Sequence, residues 1–350
     1  MMGVYPARGC PFLCNFCSVI KIAGRKVRSQ SIETTMASLR AAKAAGVELI
    51  IFTSDNLNKY AEVGELMQAM IDERLNLKFF CQCDTQIARQ PELVALMAKA
   101  KCFQIFVGVE TFNRQTLKTA HKNQNHPNTY FRIVELCREH GITSHFSNII
   151  DFPADTEASI LENLGILREL GPSKASFYIL TPIPGTEQYA EFLDAGLITD
   201  KNLDRYDTTN QLWQHPHIDD RTMPKLLFRC YREFNNFSDT LRKSMLTDRR
   251  SEHPVRNIAG SFVASGFEWM SGLLHRHPMS GGIGYCRLDN CRDYLPLRRK
   301  YFGECLDAEG LVPLPKNLEL SSADAAINAK VSGSLIHLTE VGGNLDHFTQ

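Results

Sequence analysis

Over its first 180 residues the chain alternates two kinds of segment, and nothing else in the 350 residues restricts the fold as much. Short runs rich in β-branched and aromatic residues cover 47–53, 77–83, 103–109, 142–150 and 175–180. Runs of that length with little polar alternation read as strands buried on both faces. Between them, 32–45, 63–74, 91–100, 129–140 and 158–170 space their apolar residues at the helical period. The punctuation keeps the same phase. Gly46, Gly141 and Gly171 stand just past helix ends, where a left-handed cap needs a residue without Cβ. Pro91 opens its helix where a missing N–H does no harm. A first strand is expected at about residues 2–7. Six strand–helix units in series, joined by right-handed crossovers, make a parallel sheet that curls into a partial (β/α)6, TIM-like barrel. In such α/β folds ligands gather at the C-terminal ends of the strands, so functional residues are expected just after each strand.

After Leu180 the alternation stops. Leu180-Thr181-Pro182-Ile183-Pro184-Gly185-Thr186 is a stiff connector whose Pro184-Gly185 suits a type II turn. Residues 1–215 are read as the barrel core and 216–350 as a mainly helical region. About the last thirty residues, rich in Asn, Ala and Ser, are expected to be partly mobile. Lys+Arg and Asp+Glu balance at 39 each, so no overall field favours nucleic acid or an anionic membrane. The runs Arg25-Lys26-Val27-Arg28 and Arg298-Arg299-Lys300 read as solvated faces. No apolar run reaches the roughly 18 residues of a membrane span. The nearest, 258–274, is broken by Gly260, Ser261, Gly266, Glu268 and Gly272. The N-terminus lacks the charged and apolar stretches of a signal peptide, so a cytoplasmic setting is expected. There, eleven cysteines point to metal or catalysis rather than disulfides.

Gly9-Cys10-Pro11-Phe12-Leu13-Cys14-Asn15-Phe16-Cys17 sets three thiols in a C-x3-C-x2-C spacing. Three thiolates from one tight loop can hold three corners of a cubane and leave the fourth iron open to a ligand. Structural zinc, as a non-catalytic staple, is the competing account; it wants four ligands, usually in two pairs. The remote candidates are Cys81 with Cys83, Cys286 with Cys291, and the His pairs 215/217 and 275/277, none with the expected spacing. Cys81, Cys83, Cys102, Cys137 and Cys230 read as small apolar core residues. Cys286, Cys291 and Cys305 remain candidates for an auxiliary metal site.

The loop resembles the signature of the radical S-adenosylmethionine superfamily, and the likeness spans about residues 3–215. Phe52-Thr53-Ser54-Asp55-Asn56, Val107-Gly108-Val109-Glu110-Thr111 and the Leu-Thr-Pro-x-Pro-Gly-Thr connector resemble one subgroup. Its members include carbon methylases and ring-forming enzymes, and commonly carry an N-terminal cobalamin-binding domain. The resemblance implies a [4Fe–4S] cluster on Cys10, Cys14 and Cys17 and a sulfonium cofactor whose amino and carboxylate groups chelate the open iron. One electron then breaks the S–C5′ bond and releases a 5′-deoxyadenosyl radical. It further implies a small-molecule substrate, an electron donor such as flavodoxin or ferredoxin, and a place beside adenine for Phe16.

Ser54, Asp55 and Asn56 stand where the superfamily often has a Gly-Gly-Glu motif for the cofactor's amino group, and depart from it. An acidic oxygen still suits an ammonium, while helix capping is the competing role for all three. Glu110 at a barrel mouth suits two ribose hydroxyls, or else a salt bridge such as one to Arg132. Gln82, Asp84 and Asn148 are further candidates for the cavity wall, and 178–181 for backbone contacts to adenine. The subgroup's Asp-x-His-x-x-Gly cobalamin signature is absent, and nine residues precede Cys10. A cobalamin-binding domain ahead of the barrel in a longer protein is expected, with a separate cobalamin-binding subunit or a cobalamin-independent enzyme as alternatives.

Overall fold

The computed structural model describes residues 1–247, 254–278, 304–307 and 310–313, and within them the expected alternation becomes a six-stranded sheet. After β1 (Met2–Val4) comes a short excursion of β2 (Ala7–Arg8), α1 (Val19–Ile22) and β3 (Arg28–Ser29), in which β2 and β3 pair antiparallel. There follow α2 (Ile32–Ala44), β4 (Leu49–Phe52), α3 (Val63–Asp72), β5 (Lys78–Cys83), α4 (Pro91–Lys99) and β6 (Cys102–Glu110). Then come α5 (Arg114–Thr119), α6 (Tyr130–Glu139), β7 (Thr143–Ile150), α7 (Glu157–Leu170) and β8 (Lys174–Ile179). The sheet order is β1-β4-β5-β6-β7-β8, with every neighbouring pair parallel. Val4 pairs with Phe52, Gln82 with Phe106, Gly108 with Ser147 and Ser147 with Ser176. This is the expected partial barrel.

The first strand is shorter than the expected 2–7. Pro6 has no N–H for a ladder, and the Ala7 amide donates to Ser54 Oγ at 3.1 Å, which turns the chain off the sheet into β2. Elsewhere local chemistry sets the boundaries. Ser31 caps α2 by accepting from the Thr34 amide at 3.2 Å. Thr156 and Ser159 form a capping box at the start of α7, which Gly171 ends at φ 63°. Strand residues Phe52, Phe79, Ile105 and Phe146 meet helix residues Leu39, Leu66 and Met97, all fully buried. Each such side chain contributes about 1.5–3 kcal/mol on leaving water.

Beyond the sheet lie α8 (Glu187–Asp194), α9 (Thr222–Phe234), α10 (Phe237–Thr247) and α11 (Pro254–Leu273). The amphipathic α9 buries Leu227, Cys230, Tyr231 and Phe234, and it satisfies the open edge of β8. The Tyr231 hydroxyl accepts from the Phe177 amide and donates to the Phe177 carbonyl, both at 3.1 Å, while the Ile179 amide donates to the Thr208 carbonyl at 2.7 Å. The helices beyond residue 215 thus belong to the same compact unit as the sheet. A second unit takes in 200–204 and the antiparallel pair β9 (Glu304–Asp307) and β10 (Gly310–Pro313). Cys286, Cys291 and the final thirty residues lie outside the described residues, and Cys305 sits in β9 opposite Val312. No described helix is long and apolar enough to cross a membrane.

Candidate active site

The cysteine loop hangs from the C-terminal end of β1 and is tied down on every side. Gly9 holds φ 103°, and a Cβ there would stand 2.4 Å from the Lys26 carbonyl oxygen, so only glycine lets the loop lie against residues 24–26. The Cys10 amide donates to the Gly24 carbonyl at 3.1 Å, and the Gly9 amide donates to Asp55 Oδ2 at 2.8 Å. Asn15 fixes the far side: its amide donates to the Ala120 carbonyl, its Nδ2 to the Thr119 carbonyl, and its own carbonyl accepts from the Gln188 amide. Cys14 is buried, with Cys10 and Cys17 half-buried beside it. Burial pushes the Cys10 thiol up and the Cys17 thiol to about 11, so these sulfurs keep their protons at neutral pH unless a metal displaces them. Two side-chain amides point at the sulfurs: Asn56 Nδ2 at 3.1 Å from Cys10 and Gln124 Nε2 at 3.6 Å from Cys14.

The three cysteines open onto one cavity of about 200 Å³ at the C-terminal ends of the strands, whereas two other cavities in the same unit hold about 20 Å³ each. Phe16, Asp55, Asn56, Gln82, Asp84 and Glu110 also line it. So does Lys122, which sequence reasoning missed. Lys122 forms a buried ion pair with Glu110 and lies 5.7 Å from the centre of the Phe16 ring. Burial works to lower the Lys122 pKa, but the Glu110 carboxylate and the Cys14 and Cys17 sulfurs outweigh it, and Lys122 titrates above an ordinary lysine.

The backbone under this pair is specialised. Glu110 holds φ 62° at a register shift between β6 and β7. A Cβ on Gly108 would lie 2.5 Å from Glu110 Oε1 and 3.0 Å from Lys122 Nζ, so glycine gives the ion pair its room. Asn125 Nδ2 donates to the Gly108 and Val109 carbonyls at 3.0 Å each, and the Tyr130 hydroxyl donates to Val109 at the same distance. Left-handed backbone at a non-glycine residue costs about 1–2 kcal/mol, and these bonds offset it.

A second buried network supports Phe16. The Phe152 ring meets Phe16 edge-on at 6.1 Å. Its segment is held by Asp151, at φ 80°, which accepts from Gln211 Nε2 at 2.7 Å and Trp213 Nε1 at 2.9 Å. His215 Nδ1 accepts from the His217 and Ile218 amides, which leaves Nε2–H to donate to the Phe152 carbonyl at 2.9 Å. Burial pushes Asp151 up to about 8 and Asp155 to about 6.

Not every candidate comes to the cavity. Ser54 is buried and holds the Ala7 amide. Asn148 donates to the Phe146 and Ser176 carbonyls and faces a separate small cavity, while its neighbour Ser147 lines the main one. Arg132 is not the partner of Glu110; it pairs on the surface of α6 with Glu135 and Glu139. Asn56 precedes the short turn Leu57–Lys59 without making a side-chain cap hydrogen bond, so capping does not account for it. Asp84 does cap, accepting from the Gln86 amide at 2.7 Å.

Residues 4–185 match the family model of the Radical SAM superfamily. The chain belongs to this superfamily. As in radical SAM proteins generally, the cofactors are a [4Fe–4S] cluster and S-adenosylmethionine. Among the described residues no three His, Cys, Asp or Glu side chains converge on a single metal ion. A cubane asks for no such convergence, because each thiolate meets its own iron. The chain is 24% identical over 267 residues to bacteriochlorophyllide d C-8(2)-methyltransferase of Chlorobaculum tepidum, covering 73% of this chain and 58% of that one. It is 22% identical over 265 residues to the anaerobic magnesium-protoporphyrin IX monomethyl ester cyclase of Rubrivivax gelatinosus, covering 75% and 47%. The chain spans about half the length of the curated relatives it matches. Among solved structures, TsrM of Kitasatospora setae, a radical S-adenosylmethionine methyltransferase with cobalamin and a [4Fe–4S] cluster bound, shares the fold. Its TM-score is 0.52 at 19% identity, covering 56% of this chain and 37% of that one. The cobalamin-dependent radical enzyme OxsB also has a TM-score of 0.52, at 15% identity over 98% of this chain and 55% of its own.

Proposed function

We propose that this chain is the catalytic barrel of a radical S-adenosylmethionine enzyme that functionalises a C–H bond of a small molecule, with methyl transfer favoured over other outcomes. The observation that carries this reading is the meeting of three thiols, Phe16, Asp55, Asn56 and Glu110 around one cavity. In it Cys10, Cys14 and Cys17 hold the cluster. Bound there, the cluster supplies the single electron that splits the sulfonium S–C5′ bond. The named methyltransferase relatives support methyl transfer, and TsrM and OxsB support cobalamin as the methyl carrier, held by a further domain or a partner.

This chain's own residues bind, orient and shield. Asp55 presents the carboxylate oxygen left free by the Gly9 amide, a suitable partner for an ammonium. Phe16 offers a ring face to adenine, held in place by Phe152. Glu110 is the acceptor for ribose hydroxyls, with Lys122 paired to it beside the sulfurs. Asn56 and Gln124 donate to thiolate sulfur, an interaction that tunes a cluster's potential. Phe106 and Gln82 close the floor, keeping water from a reactive primary radical.

Anaerobic reconstitution tests the reading. The chain should take up about four irons in this site, show visible absorption that dithionite bleaches, and turn S-adenosylmethionine into 5′-deoxyadenosine and methionine. Cys14→Ala should abolish all three. Stoichiometric tight zinc without iron uptake would replace the enzyme by a metal-stapled module.

A further inference from the structure

One polar cavity lies away from the thiols, at the other end of the sheet. Thr143 opens β7 and Lys174 opens β8, and both line it together with residues of α10 and α11. Its volume is about 20 Å³, and a void needs roughly 10–15 Å³ to hold one water-sized particle. The wall is almost wholly polar: six hydroxyl side chains, two lysines, one glutamate and Ala264. Helical spacing delivers part of it. Thr240 and Lys243 stand three residues apart on α10, as do Ser265 and Glu268 on α11, so each pair shares a face.

The charges in this wall neither balance nor touch. Lys174 and Lys243 make no ion pair within 4 Å with a carboxylate of a described residue. Lys243 is only 3% exposed. Its ammonium donates to the Phe234 carbonyl at 3.0 Å and lies 3.6 Å from the centre of the Phe234 ring. Both suit a positive charge, yet neither supplies a negative one. Burial pushes the Lys243 pKa down to about 7, although Glu268 and Asp239 pull the other way. Asp239 is already held by Arg168 at 2.8 Å, and Glu268 accepts from Asn235 Nδ2 at 3.1 Å. Thr240 is as deeply buried as Lys243, and its hydroxyl has no hydrogen-bond partner. Such an orphan in a native core calls for an occupant.

We propose that this cavity binds one small monovalent anion of the size of chloride, held by the Lys243 and Lys174 ammoniums and the Thr240 hydroxyl. A water would fill the same space and satisfy the hydroxyl, but it would leave the surplus charge standing. Ionised Glu268 cancels one ammonium of the two; the anion cancels the other. The volume sets the class of ligand, since a phosphate or a nucleotide does not fit inside it. An anion seated there ties α10 and α11 to the starts of β7 and β8. It belongs to the folded chain alone, so it raises stability by mass action. The site is independent of the proposed cluster.

The test is thermal unfolding of the full chain in mixtures of potassium gluconate and potassium chloride at constant ionic strength. The melting temperature should climb with chloride along a saturating curve, and bromide should do the same. Lys243→Met should melt higher than the unaltered chain in gluconate, because it removes a buried ammonium without a counter-charge. The same variant should lose the response to chloride. Those two effects of opposite sign distinguish a ligand site from a merely structural lysine. Thr240→Val should keep the response but need about tenfold more chloride, the scale of one hydrogen bond to a charged group. Lys99→Met, on an exposed residue of α4, should behave as the unaltered chain. If Lys243→Met does not fold, Thr240→Val and Lys174→Gln carry the comparison, and unchanged half-saturation in both would overturn the site. Equal melting temperatures in gluconate and chloride would overturn it too, leaving water as the occupant. So would a rise shared equally by Lys243→Met and the unaltered chain, which is a general salt effect.

Discussion

The two ends of the sheet use the same backbone conformation for opposite purposes. At the N-terminal ends of the strands, Gly46, Arg74, Asn76, Lys101 and Gly141 are left-handed, at exposed or half-exposed turns between a helix and the next strand. At the C-terminal ends the left-handed residues include Gly9, Glu110 and Asp151, which are buried. Glycine in the first group is ordinary helix-end chemistry. An acidic side chain in the second group is costly twice, in backbone strain and in burial, and each is met by dedicated donors: Lys122 for Glu110, Gln211 and Trp213 for Asp151. One end is built for folding alone, and the other holds acidic side chains where solvent does not reach.

Lys122→Met probes this contrast most severely. It leaves Glu110 buried without its cation and should destabilise the fold by about 3–5 kcal/mol in urea unfolding. Adding Glu110→Gln should recover much of that loss. Equal effects of the single and double variants would mean that the pair is not coupled.

His145 marks the interior between the two ends. It is fully buried, with Nδ1 3.0 Å from Gln104 Nε2 and Nε2 2.6 Å from Ser176 Oγ, and burial pushes its pKa down to about 3. Below pH 6.5 the unfolded chain takes up a proton that the folded chain refuses, so this residue's contribution to stability is lost as pH falls from about 6.5 toward 3. Between pH 7 and pH 5 that amounts to about 2 kcal/mol. Paired denaturation curves should show a steeper pH dependence for the unaltered chain than for His145→Gln; identical slopes would place a proton on the native imidazole.

At the folding end the smallest effect is expected, with the opposite sign. Arg74 is exposed at φ 47°, so Arg74→Gly should relieve strain and stabilise by about 0.5–1 kcal/mol, seen as a higher melting temperature. A loss of stability there would show that the side chain, rather than the backbone, matters at that turn.

The fold was legible because strand and helix periods alternate cleanly and glycine marks the helix ends. The cysteines, Phe16, Asp55, Asn56 and Glu110 were legible because they directly follow strands or share one tight loop. Lys122 and Gln124 were not, since 119–126 is a polar stretch without a period, and only the return of the chain after α5 brings it under the sulfurs. Asn148 was assigned to the cavity because a parallel strand covered on both sides carries polar residues on both. His145 and Ser147 form one series, Ser144 and Asn148 the other, and nothing in β7 alone says which faces inward. The Arg132 alternative for Glu110 failed because a helix-surface arginine finds nearer carboxylates on its own helix.

The hydroxyl of Tyr231, spanning the amide and carbonyl of Phe177, bears on how the protein survives synthesis. Until α9 emerges and packs, the amide and carbonyl of Phe177 stand open on the edge of β8, an invitation to pair with the same strand of another nascent copy. The helices after residue 215 are therefore a built-in chaperone for the edge. Chains ending before Tyr231 would be made as aggregates, whatever the quality of their active-site loop.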